Sequence, residues 1–264
     1  MRYPRNSIVI NGTRDIPLLR QVRNSSFISH DQLFVLLHHG RLEGSRRGFN
    51  WRVQRLLSSG YIHRCDGVEW RGAPVYRITR DGLLQLESHG EFVTALHSAT
   101  RRPPDKAKVF HALELNAVQV ALARGNLLAN WQSDLEIASS NMVSRGPYQK
   151  DYDAIVDVWV GDRLRRFALE YERTLKSAKQ YEWVRAALAA ERQVGCILYL
   201  CAGPDIALHL AHELHHAASR VAFATISTFR EQLLQTTVFT GPGEPASSFE
   251  QILIYKGLPF PGVA

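Results

Sequence analysis

The N-terminal part of the chain places apolar residues at helical spacing in three successive stretches. Asp15-Ile16-Pro17-Leu18-Leu19-Arg20-Gln21-Val22 opens with a capping Asp and an early Pro, then sets its apolar residues on one face. Ser29 caps a second predicted helix, with Leu33, Phe34, Leu36 and Leu37 apolar and Gly40 beyond its end. A third helix is predicted over residues 45–57. There Phe49, Val53, Leu56 and Leu57 take core spacing, and Arg46, Arg47, Asn50, Arg52 and Arg55 take the rest. The period then becomes alternating. Residues 61–65 and 74–78 read as two short strands around a polar loop at 66–73, and Thr79 caps a closing helix.

Ser98-Ala99-Thr100-Arg101-Arg102-Pro103-Pro104-Asp105-Lys106 ends this pattern and reads as a linker, because Pro-Pro stops a helix and small polar residues precede it. The boundary near residues 98–108 predicts domains at 1–102 and 108–264. In the second, residues 111–123 predict a helix and 131–137 a strand carrying Glu136. Residues 153–160 and 164–172 predict a hairpin around Gly161-Asp162. A helix at 176–190, an apolar strand at 194–200, a helix at 204–219 and a strand at 221–226 follow; residues 240–245 read as a late loop. The order α-β-β-β-α-β-α-β predicts a mixed α/β sandwich, and the whole chain an α+β, mixed α/β protein.

The 264 residues are 45% hydrophobic and 22% charged, which excludes disordered and collagen-like classes. No run reaches the ~18 apolar residues of a membrane helix, and Ile8-Val9-Ile10 is too short for a secretory core. Cys65, Cys196 and Cys201 show no C-x-x-C spacing. That argues against a disulfide framework or a structural zinc site and for a reducing, cytoplasmic setting. The net charge of +7 is uneven. Residues 1–102 hold 16 Arg and no Lys against 8 acidic residues, while residues 103–264 hold 16 basic against 17 acidic residues. Arg presents a planar fork of donors that matches phosphate and guanine edges, so an Arg-only basic domain suits double-stranded DNA.

Three helices, a two-stranded ribbon and a closing helix make a winged helix-turn-helix, and the Tyr76-x-Ile78-Thr79-x-x-Gly82 ending resembles many bacterial winged-helix domains. In such folds the third helix enters the major groove, about 12 Å wide, and the wing touches adjacent backbone. Arg46, Arg47, Arg52 and Arg55 are then expected to meet phosphates or guanine O6/N7, Asn50 or Gln54 an adenine edge, and Arg71 the wing-side phosphates. Each Arg alone also fits a solvated helix face; four on one short helix point to DNA. Winged helices also dock proteins, and the residues leave that open.

Carboxylates recur in the second part. Asp153 begins one predicted strand, and Glu170 and Glu172 end the next, on one face of it. Hairpin pairing sets Asp153 beside Glu170, and like charges brought together this way are unfavourable unless a cation holds them. Oxygen-only ligands favour Mg²⁺ or Mn²⁺, which can generate hydroxide and clamp a phosphodiester. Arg165, Arg166 and Arg173 offer a plainer fate for the same carboxylates, as surface ion pairs.

The chain resembles the bacterial replication-relaxation family of plasmids and other mobile elements. The resemblance is carried by the winged helix from Arg14-Asp15, His111-Ala112-Leu113-Glu114-Leu115-Asn116, Tyr152-Asp153-Ala154-Ile155, and Phe167-Ala168-Leu169-Glu170-Tyr171-Glu172-Arg173-Thr174, and it covers roughly residues 14–200. It implies a PD-(D/E)XK nuclease-like second domain, with Asp153 and Glu170 as metal ligands and Glu136 or Glu114 as a third acidic group. It also implies replication or mobilisation proteins as partners. Two departures stand out. Tyr152 replaces the motif Pro, a change without expected chemical consequence. Glu172 stands where the motif Lys would polarise the attacking water, leaving Lys176 or Lys179 to reach back from the next helix. Without such a Lys the fold binds DNA uncut, as an accessory or transcription regulator.

His212-Glu213-Leu214-His215-His216 satisfies H-E-x-x-H, the zinc-protease pattern, and Leu210-Ala211-His212-Glu213-Leu214 resembles the helix of metalloproteases that cleave phage-type repressors. Glu231, Glu244 and Glu250 form no recognisable third-ligand context, and Ile206, Leu208, Leu210 and Leu214 explain the stretch as an ordinary amphipathic helix. The expected catalytic set is therefore Asp153, Glu170, Glu172 and Lys176 with Mg²⁺ or Mn²⁺ rather than zinc, acting on DNA without a membrane.

Overall fold

A computed structural model describes residues 9–94, 105–143, 146–215 and 220–256. The protein is mixed α/β, in two compact units, Met1–Val120 and Ala121–Ala264. Residues 98–104 of the expected linker lie outside the described residues.

The first unit runs α1 (Asp15–Asn24), β1 (Ile28–Ser29), α2 (His30–His39), α3 (Arg46–Ser58), β2 (Ile62–Trp70), β3 (Ala73–Ile78) and α4 (Arg80–Ser88). Asp15, expected to cap α1, is instead its first residue and is held by Arg52 and Arg55, and Arg14 at the cap position makes no side-chain bond; the other three helix starts are chemically marked. Ser29 and Gln32 form a reciprocal capping box on α2, Ser45 accepts from Gly48 N on α3, and Thr79 accepts from Gly82 N on α4. Leu18, Leu33, Phe49, Leu56, Val75 and Leu86 are completely buried, at the helical and alternating positions read from the sequence. Gly82 has a packing reason: a Cβ there would run into the Tyr61 carbonyl oxygen and the Ile78 side chain.

Two features differ from the sequence reading. The two-residue β1 pairs antiparallel with β3, giving the order β1-β3-β2. Strand β2 also continues past Cys65 to Trp70. Gly67, at φ 67°, lies in an irregularity of the β2–β3 register between Arg64 and Glu69, and the ribbon turns at Arg71-Gly72, both with positive φ. Two left-handed residues make the tight turn that suits strand twist. A bulge breaks the alternation there, so the sequence predicts a loop where the strand continues.

Helix α5 (Lys106–Arg124) contains the division between the units. Its N-terminal half belongs to the first: Val109 and Leu113 pack with Cys65 and Val75, and Gln32 Nε2 donates to Leu113 O at 2.8 Å.

The second unit continues with β4 (Leu128–Ser133), α6 (Asp134–Val143), β5 (Ala154–Val160), β6 (Arg163–Glu172), α7 (Ala178–Ala190), β7 (Ile197–Cys201), α8 (Pro204–Glu213), β8 (Val221–Thr225), α9 (Ile226–Gln232), β9 (Thr237–Val238), β10 (Ser247–Ser248) and α10 (Phe249–Lys256). The main sheet has the order β4-β5-β6-β7-β8. Strands β4 to β6 are antiparallel neighbours, and β6 to β8 are parallel. On one face Ile155, Ala168, Ile197, Tyr199 and Phe223 pack with Tyr181, Val184 and Leu188 of α7 and with Ala207 and Leu210 of α8.

The strand expected at 131–137 stops at Ser133. Ser133-Asp134-Leu135-Glu136 is a capping box: Ser133 N donates to Glu136 Oε2 at 2.9 Å and Glu136 N to Ser133 Oγ at 3.4 Å. That signal starts α6 and outweighs the apolar alternation. The helix expected over 204–219 ends at Glu213, and residues 216–219 lie outside the described residues. No helix among the described residues is long and apolar enough to cross a membrane.

Candidate functional site

Alternation along β6 turns Glu170 and Glu172 to the same face as Ala168, the face that α7 and α8 cover. The β5–β6 register pairs Ala154 with Leu169, so Asp153 falls opposite Glu170 one step further on. The hairpin thus brings the two expected carboxylates together. The half-buried Asp153 accepts from Tyr171 N at 2.7 Å. Glu172 lies at the strand end and pairs with Lys176, one of the two lysines expected to reach back from the next helix; Lys176 precedes α7 rather than lying on it, and Lys179, in its first turn, is exposed.

A residue absent from the sequence reading completes the cluster. Lys150 Nζ lies 2.7 Å from Glu170 Oε2, with side chains only 7% and 8% exposed, and 5.1 Å from the centre of the Tyr152 ring. Tyr152 is therefore more than a replacement for Pro: fully buried and bonded to Glu191 at 3.1 Å, it provides an aromatic face beneath the ammonium. The motif lysine is expected after Glu170, whereas Lys150 precedes the hairpin. The lone signal on the other side was a Lys three residues before Asp153.

Burial pushes the Glu170 carboxyl above its ordinary range. Asp153 adds to the rise, and Lys150 opposes it. Burial acts downward on Lys176, but its hydrogen bond to Glu172 and the charges of Glu172, Glu170 and Asp153 raise its ammonium overall. Glu170 Oε1 is buried and has no hydrogen-bond partner among the described residues. The same holds for the hydroxyl of Tyr199, which pairs with Glu170 in the β6–β7 register. An orphaned carboxylate oxygen beside a second carboxylate is a donor set that fits a hard divalent cation, Mg²⁺ or Mn²⁺. Among the described residues no group of three or more His, Cys, Asp or Glu side chains is arranged to hold a metal, so the fit rests on this pair. Glu136 is occupied in its capping box, and Glu114 lies on α5 in the first unit.

In the first unit the outward side of α3 presents Arg46, Arg47, Asn50, Trp51, Gln54 and Ser58. Arg46 pairs with Asp31 and lies 4.7 Å over the Phe34 ring. Asn50 Oδ1 is 3.0 Å from His30 Nε2, whose Nδ1 is 3.1 Å from the Tyr76 hydroxyl. Arg71 is exposed at the ribbon turn. Arg52 is placed differently from the expectation: it points inward, 94% buried, with bonds of 3.0 Å to both Asp15 and Glu43. Arg55 is half-buried, pairs with Asp15 and stacks 5.1 Å from the Trp51 ring. Trp51, 63% exposed, is an uncharged member of this face, which charge patterning does not single out.

No family model, curated protein or solved structure matches the chain.

The H-E-x-x-H helix offers less. Glu213 forms an ion pair with Arg185 at 3.1 Å, His215 Nδ1 lies 2.7 Å from the His212 carbonyl oxygen, and His216 lies outside the described residues.

Proposed function

We propose that this protein binds double-stranded DNA through α3 and the β2–β3 ribbon, as a winged helix, and hydrolyses phosphodiesters at the Asp153/Glu170 end of a PD-(D/E)XK-like sheet. One observation carries the reading: two carboxylates are held side by side at a strand end, one of them buried with an unpartnered oxygen, and two lysines are set against them. Such an arrangement is costly in a fold that needs it only for support. The family resemblance to plasmid replication-relaxation proteins points the same way.

Asp153 and Glu170 are the groups that would hold a divalent cation. When bound, Mg²⁺ or Mn²⁺ supplies Lewis acidity and a lowered water pKa. Lys150 and Lys176 contribute positive charge from both flanks of the hairpin and compensate the carboxylates. Arg47, Asn50 and Gln54 supply exposed donors for phosphates and base edges, and Arg71 extends the contact from the turn.

The test is cleavage of supercoiled plasmid by the full chain with Mn²⁺, beside the Asp153→Asn variant. The wild type should nick the plasmid and the variant should not. Saturating Mn²⁺ should stabilise the wild type by about 2.7 kcal/mol at a hundredfold excess over Kd, and the variant not at all. A wild type indifferent to Mn²⁺ in both assays overturns the catalytic half of the reading. The remaining reading is a DNA-binding accessory or regulator on a nuclease-like scaffold. One observation favours it: Lys150 already neutralises Glu170 from within the fold.

A further inference from the structure

The outer surface of α7 carries an aromatic and a cation that have no partner among the described residues. Trp183 is 60% exposed, and Lys179, one helical turn before it, is exposed on the same side. The opposite flank is occupied: Tyr181 meets His209 of α8 with ring centres 6.1 Å apart, and Arg185 pairs with Glu213. Trp183, two residues from Tyr181 on the helix, is therefore turned away from α8 and stands in solvent. α7 begins two residues after Lys176, which is bonded to Glu172 in the carboxylate cluster, so the N-terminal end of the helix that bears Lys179 and Trp183 adjoins that cluster. Exposed Arg173 and half-buried Lys176 stand between the cluster and the helix, and Glu182 is the one acidic residue within 173–185.

We infer that this surface is a stacking platform for unpaired nucleotides, and that the substrate presented to the carboxylate end is DNA with a single-stranded stretch. A duplex hides the faces of its bases, whereas an unpaired base offers a π-face to an exposed indole. Flanking cations hold the backbone in a sequence-independent way. This inference rests on the nucleic-acid reading of the carboxylate cluster and narrows its substrate.

The experiment measures binding of labelled oligothymidylate and of duplex DNA to the full chain in EDTA, so that cleavage plays no part. Trp183→Ala should bind oligothymidylate about tenfold more weakly. Trp183→Phe should keep most of the affinity, and duplex binding should stay unchanged in both. Lys179→Ala should lower the slope of log affinity against log salt by about 0.7. A Trp183→Ala variant that binds the oligonucleotide like wild type overturns the inference, and so does a Trp183→Phe variant that fails as badly as Ala. A wild type that stacks the oligonucleotide but never responds to Mn²⁺ removes only the catalytic reading and leaves the platform standing.

Discussion

Replacing Lys150 with Met tests the cluster where its energetics are sharpest. The substitution removes the cation 2.7 Å from Glu170 and strands a carboxylate whose other oxygen already lacks a partner. Breaking a buried pair from one side costs about 3–5 kcal/mol. Proton uptake by Glu170 offsets part of this at low pH, which fixes the sign of the pH dependence. Burial and Asp153 already hold the carboxyl above its unfolded value. The folded state therefore binds that proton more tightly, and stability falls as pH rises from about 4.3 through the raised value. Lys150→Met should raise the folded value further, so it should melt near wild type at about pH 4 and fall behind steadily above it. At about pH 7 the deficit should be about 3 kcal/mol, or about 6–12 °C for a unit of this size. Glu170→Gln strands the ammonium instead and should also melt early, whereas the double variant should regain most of the loss. Circular-dichroism melts of the four proteins between about pH 4 and 8 complete the cycle. If either single variant melts within about 1 °C of wild type near neutrality, or the double variant is no better than the worse single one, the pair does not anchor this end of the sheet.

Two further outcomes separate support from contact in the first unit. Arg52→Ala should lose about 3–5 kcal/mol in chemical denaturation by leaving Asp15 and Glu43 without their shared partner. Exposed Arg47→Ala should hold stability within about 0.5 kcal/mol while lowering the salt slope of duplex binding by about 0.9. Equal stability loss in both variants would contradict the assignment. Gly82→Ala should cost about 1–3 kcal/mol by overpacking against Tyr61 and Ile78, and a variant as stable as wild type would show that the α4 start has room.

The helix starts were legible because their caps are local chemistry: Ser29, Ser45 and Thr79 announce α2, α3 and α4 within four residues each. The hairpin was legible because Gly161-Asp162 separates two strongly apolar runs, and its register carried Asp153 to Glu170. Two things were not legible, each for a physical reason. Arg52 and Arg47 are the same residue type on one helix, and only the position of Asp15 and Glu43 in space decides which is buried. Lys150 approaches Glu170 from outside the strand, so no spacing rule within β6 leads to it. Ser133-Asp134-Leu135-Glu136 is a readable cap, but it sits inside an apolar alternation that by itself predicts a strand through Ile137.

The charged cluster is short in chain terms. Lys150, Asp153, Glu170, Glu172 and Lys176 all fall within one contiguous stretch, with Asp153 just before β5, the two glutamates at the end of β6 and one lysine beyond each end of the hairpin. Closing so small a loop costs little chain entropy compared with the helical crossovers that deliver β7 and β8. Acids and counter-ions therefore travel as a single cassette, a hairpin with its own neutralising ends. The rest of the sheet buries that cassette without having to supply any of its charge.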